Sequence, residues 1–121
     1  MAIHKVLIVD DAATDRTALE DVVRSTNCEV VTANSGPEAV GKAKTEKPDM
    51  IFMDIVMDDM SGYEACRAIK EDPETAAIPV VFVSSKGQKA DHIWAKRQGG
   101  EALVQKPFTK DQIIAQIDRL D

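Results

Sequence analysis

Three runs of four consecutive apolar residues, Val6–Val9, Met50–Met53 and Val80–Val83, constrain this chain more than any other feature. A strand with one face in water alternates apolar and polar residues. Short unbroken apolar runs are what strands covered on both faces look like. Two weaker segments complete the set: Cys28–Thr32, polar enough for a sheet edge, and Ala102–Gln105. Between these runs, apolar residues recur at helical spacing. They are Leu19, Val22, Val23 and Thr26, then Ala39, Val40 and Ala43, then Ala65, Cys66 and Ile69. Ile93, Trp94 and Arg97 mark a fourth helix, and Ile113, Ile114, Ile117 and Leu120 a fifth. Ser35 with Glu38, Ser61 with Glu64, and Thr109 with Gln112 read as capping boxes. Lys47-Pro48 and Gly99-Gly100 read as helix stops. Such alternation predicts an α/β fold, (βα)₅, with one parallel sheet and right-handed crossovers.

At 121 residues, the chain is expected to form one domain over 1–121. The net charge of −6 argues against a nucleic-acid surface, which is usually basic. No apolar run approaches the ~18 residues that a membrane helix needs. The first strand begins too near Met1 to leave room for a signal peptide. Cys28 and Cys66 lack a CxxC arrangement and read as buried, reduced thiols, so a cytoplasmic setting is expected. His4 and His92 show no ligand spacing. For Trp94, the only tryptophan, helix packing is the ordinary reading and a surface anchor for a partner is the other.

In a parallel sheet, the residues that follow each strand share its carboxyl edge, where open α/β sheets bind ligands. Here those residues are Asp10-Asp11, Asp54, Ser84 and Lys106. Adjacent acids in one loop mean little alone; a third acid after another strand changes that. Like charges held together repel, and a hard cation such as Mg²⁺ resolves the repulsion with oxygen ligands. A carboxylate can attack phosphorus and form an acyl phosphate. Asp54 is the better nucleophile candidate, because the adjacent pair can hold the metal. Lys106 offers a charge to a phosphoryl oxygen, and Ser84 a hydrogen bond. Lys106–Pro107 is a candidate cis bond.

Val-Asp-Asp11 after the first strand, Met-Asp54-Ile-Val-Met57 after the third, Ser84, and Lys106-Pro-Phe108 after the fifth resemble the receiver domains of two-component response regulators. The resemblance spans Lys5 to Leu120. It implies a flavodoxin-like, doubly wound sheet of order 2-1-3-4-5, with Asp54 as phosphoacceptor. It also implies Mg²⁺ held by Asp10, Asp11, Asp54 and the Val56 backbone carbonyl, with Ser84 and Lys106 as switch hydroxyl and phosphate-binding lysine. Among receivers, the chain is similar to the CheY-like single-domain chemotaxis and twitching-motility type. The stretch Asp91–Gly99 carries the likeness to the pilus regulators. The implied partners are a histidine kinase as phosphodonor and a downstream protein target. The expected state is a monomer, or a dimer through the face built from Gln88–Gln98, Glu101–Val104 and Thr109–Leu120. Two positions depart from the family pattern. Asp58 stands where proline is common, and Leu103 stands where an aromatic switch residue is usual.

Other classes fit less well. A haloacid-dehalogenase-like phosphatase needs Asp-x-Asp, which Asp10-Asp11-Ala12 lacks. A flavodoxin-like redox module needs a phosphate loop without acids after the first strand. A receiver that binds partners without phosphorylation would not need all five residues. The expected role is therefore signalling rather than enzymatic, beyond self-phosphorylation and self-dephosphorylation. A phosphate sink that drains a shared kinase is the alternative to an effector.

Overall fold

The computed structural model describes residues 3–121. Ten elements alternate along the chain: β1 (Lys5–Val9), α1 (Ala13–Arg24), β2 (Glu29–Ala33), α2 (Gly36–Glu46), β3 (Met50–Met53), α3 (Gly62–Glu71), β4 (Val80–Ser84), α4 (Lys89–Arg97), β5 (Ala102–Gln105) and α5 (Lys110–Leu120). The strands form one parallel sheet of order β2-β1-β3-β4-β5, as expected.

Successive strand residues point to opposite faces, and each apolar run divides accordingly. Leu7, Val9, Ile51, Met53, Val80, Phe82 and Leu103 pack with Ala39, Ala43, Ala65, Cys66, Ile69 and Ala95 on one side. Val6, Ile8, Met50, Phe52, Val81, Val83 and Val104 pack with Leu19, Val23, Ile113 and Ile117 on the other. Thus α2, α3 and α4 cover one face, and α1 and α5 the other. Each fully buried Val, Leu or Ile side chain contributes about 1.5–3 kcal/mol over leaving it in water. That is why the central strands are apolar along their length and carry a polar residue only at an end, Lys5 at the start of β1 and Ser84 at the close of β4. Edge strand β2 is only partly covered. It starts one residue later than expected, at Glu29, which pairs with Lys5. Cys28 stays outside the ladder, and its thiol donates to the Ile3 carbonyl.

Helix starts follow their caps. Ser35, Ser61 and Thr109 each accept from the backbone N–H three residues on, at 3.2 Å. Of these three, the reciprocal arm forms at Thr109, whose N–H donates to Gln112 at 2.8 Å. Glu38 reaches instead to Asn34 N–H at 2.9 Å. Lys47, in the left-handed conformation, ends α2, and Gly99, with φ of 99°, follows the end of α4. The Lys106–Pro107 bond is cis. Both cysteines are free and buried, and burial pushes the Cys66 thiol up to about 11.

Helix α4 departs from expectation. Ile93 and Trp94 are each 49% exposed, and Arg97 is exposed too. The buried positions are Ala95 and Gln98. Beside this face, the Phe82 ring and the Ala95 carbonyl crowd Gly100 so closely that a Cβ there would lie 2.5 Å and 3.0 Å from them. Ala95 packs into the core cluster that holds Phe82, and Trp94, the preceding residue on the helix, faces outward. The Gln98 amide accepts from Arg67, and its carbonyl accepts from the Cys66 thiol at 3.4 Å, which ties α4 to α3.

Candidate functional site

Pairing of Val9 with Met53 brings the ends of β1 and β3 level. Asp10 and Asp54 therefore emerge side by side where strand order reverses. Backbone hydrogen bonds hold both: Asp10 N–H donates to Ala33 at 3.1 Å, and Asp54 N–H to Val9 at 2.9 Å. Ser84 ends β4 opposite Gln105. Lys106 follows, with its N–H on the Ser84 carbonyl at 2.8 Å. Four strands in register thus deliver the expected residues to one edge.

Lys106 is the hub. Its Nζ lies 2.9 Å from Asp10 Oδ2, 3.0 Å from Asp15 Oδ2 and 3.7 Å from Asp54 Oδ2. Burial alone would lower the lysine's pKa, but hydrogen bonds to Asp10 and Asp15 outweigh it, and the pKa is raised. Asp54 moves up to about 6. Burial is the main cause, Lys106 opposes it, and the charges of Asp10 and Asp11 reinforce it. Its Oδ1 accepts from Ile55 N–H at 2.8 Å, which fixes the carboxylate's orientation. Ser84 is fully buried, and its Oγ accepts from Lys86 N–H at 3.2 Å. Val56 lies two residues beyond Asp54, with its side chain exposed.

Asp10, Asp11 and Asp54 each place a carboxylate oxygen within 4.8 Å of the others. An all-oxygen set of three acids beside one ammonium fits a hard divalent cation better than a soft one. Two buried acids, Asp10 and Asp54, face one exposed acid, Asp11. The cluster therefore opens to solvent on the Asp11 side.

Two residues of the site fell outside the expected set. Asp15 gives only the signal of an acid in a helix's first turn, and its contact with Lys106 spans 91 positions. Gly62 lies behind the acid from β3, its N–H donating to Ile55 at 2.7 Å.

Residues 6–118 match the family described as response regulator receiver domain. The chain is 38% identical over 114 residues to "Protein PilH" of Pseudomonas aeruginosa, covering 94% of each chain. It is 37% identical over 117 residues to "Chemotaxis protein CheY" of Bacillus subtilis, covering 96% of each. The solved structure of the Vibrio cholerae chemotaxis protein CheY4 superposes with a TM-score of 0.91 at 27% identity, over 99% of this chain and 100% of that one. An acid-rich edge at the switch point of a 2-1-3-4-5 sheet is the architecture of a signalling receiver. This chain belongs to the response regulator receiver family of two-component systems. No helix among the described residues is long and apolar enough to cross a membrane.

Proposed function

We propose that this chain is a response regulator receiver that takes a phosphoryl group from a histidine kinase onto Asp54. The observation that carries the reading is a buried carboxylate held 3.7 Å from a lysine ammonium, within 4.8 Å of two further acids. In the transfer, an Asp54 oxygen forms a bond to phosphorus as the phosphorus–nitrogen bond of phosphohistidine breaks. The electron pair of that bond returns to the imidazole. Asp10, Asp11, Asp54 and the Val56 carbonyl are the proposed ligands of Mg²⁺, which when bound neutralises charge on the phosphoryl oxygens. Lys106 orients one phosphoryl oxygen, and Ser84, released from Lys86 N–H, donates to another. The chemistry is self-modification, with no separate substrate turned over. Likeness to PilH and CheY supports a motility or chemotaxis pathway, with a cytoplasmic setting and output through protein contact.

Incubation with acetyl phosphate and Mg²⁺, read by intact mass, tests this: the chain is expected to gain one phosphoryl group. An unmodified mass rejects the reading. Asp11→Ala removes the exposed acid of the cluster, so it should cut phosphoryl uptake at least tenfold while the fold stays intact. Asp11 supports no packing, and its removal relieves repulsion. Uptake at the wild-type rate would exclude Asp11 as a ligand.

One observation favours the phosphate-sink alternative. Leu103, buried on β5, has no ring to swing between α4 and β5. Beryllofluoride, which mimics the phosphoryl group, distinguishes the two roles. An effector should show amide shifts on α4, β5 and α5. Shifts confined to the neighbourhood of Asp54 support the sink.

A further inference from the structure

We infer that Asp15 is a positioning residue that holds the Lys106 ammonium back from Asp54 and so sets how strongly Lys106 engages a phosphoryl group there. The inference rests on the phosphoacceptor reading of Asp54.

An ammonium has three donors. Those of Lys106 form hydrogen bonds to Asp10 at 2.9 Å and Asp15 at 3.0 Å, while Asp54 stands off at 3.7 Å. Asp10 belongs to the acid cluster itself; Asp15 does not. It is the third residue of α1, where an acid ordinarily folds back onto the N–H of the capping residue. Here that N–H, on Ala12, already donates to Asp10 Oδ1 at 2.9 Å. The Asp15 carboxylate is left to reach across to β5. Its side chain is 47% exposed, against 3% for Asp10, so its charge costs little desolvation and its removal opens no cavity. Beside the pair runs an open groove of about 470 Å³, lined by Asp15, Ala18, Ser85, Lys106, Pro107 and Phe108. It leaves the lysine room to move. A phosphoryl group on Asp54 must draw Lys106 towards it, against the pull of Asp15. A half-exposed ion pair resists such a move only modestly, so Asp15 tunes the interaction rather than blocking it.

Beryllofluoride titrations of the full chain with Mg²⁺, read by amide shifts, test the inference. Asp15→Asn, which keeps the shape and removes the charge, should bind about two- to fivefold tighter, the worth of such a pair. Asp15→Glu, which keeps a carboxylate, should restore wild-type affinity. In a Lys106→Ala background, the gain from Asp15→Asn should vanish, because it acts through the lysine. Equal affinity of wild type and Asp15→Asn overturns the inference. So does a gain that survives without Lys106, since that would be simple charge repulsion of the anion. A wild-type chain that binds no beryllofluoride overturns both this inference and the reading of Asp54.

Discussion

Asp54→Asn is expected to abolish phosphoryl uptake and, in metal-free buffer, to make the protein more stable. The first effect follows from the loss of the attacking oxygen: an amide is not a nucleophile toward phosphorus. The second follows from the cost of a buried charge. Asp54 holds its proton up to about pH 6, where an ordinary aspartate releases it near 3.8. Its folded-state pKa lies above the unfolded value. The stabilising contribution is therefore complete below about pH 4 and fades as pH rises through about 6. Above that, the folded chain carries a carboxylate that burial disfavours, at a cost on the order of 2 kcal/mol. Asparagine removes this cost, and its amide oxygen can still accept from Ile55 N–H. In EDTA, denaturant midpoints of wild type and variant should coincide near pH 4, separate between pH 4 and 6, and stay apart above. Adding Mg²⁺ should narrow the gap by stabilising the wild type. A variant less stable than wild type at pH 7.5 would show that Asp54 contributes more through its contacts than burial of its charge costs. Uptake of label by Asp54→Asn at the wild-type rate would place the acceptor elsewhere.

Gly62→Ala should have the largest effect on the fold of any single methyl group near the site. A Cβ at this position would lie 2.0 Å from the Asp54 carbonyl oxygen and 2.9 Å from its carbonyl carbon. Both are backbone atoms at the end of a central strand and cannot swing aside as a side chain could. The Gly62 N–H also donates to Ile55 at 2.7 Å, which pins the start of α3 against the loop that carries Asp54. Relief of the overlap requires α3 or that loop to shift. Overpacking of this kind costs about 1–3 kcal/mol and sometimes more, and strand-end backbone belongs at the upper end. The variant should lose at least 2 kcal/mol in urea unfolding and phosphorylate poorly even where folded. Gly41→Ala serves as control, because a Cβ there meets nothing within 4 Å on exposed α2. Alanine should leave stability equal or slightly higher at that position. Equal midpoints for Gly62→Ala and wild type would mean that the α3 start is far more pliant than its contacts indicate.

Strands β1, β3 and β4 were legible because a run such as Met50–Met53 has no polar residue to offer water and must be covered on both faces. Once the strands were placed, Asp10, Asp54, Ser84 and Lys106 followed, since parallel strands in register put their next residues on one edge. The boundary at β2 slipped by a residue, because an edge strand is held by pairing on one side and its pattern is weak. The face of α4 differs from the apolar pattern: Ile93 and Trp94 are the most apolar residues there, yet Ala95 is the one that packs into the core and both larger side chains are half exposed.

By itself, the sequence determined the sheet, its covered faces and the set of groups at its edge. All three follow from periodicity and from which residue comes after each strand. Tertiary structure alone decided how those groups share their charges. The pairing of Asp15 with Lys106 joins residues 91 positions apart, and the close approach of Gly62 to the Asp54 backbone depends on how α3 packs against the loop after β3. Such contacts depend on where packed helices come to rest, and no local pattern encodes them.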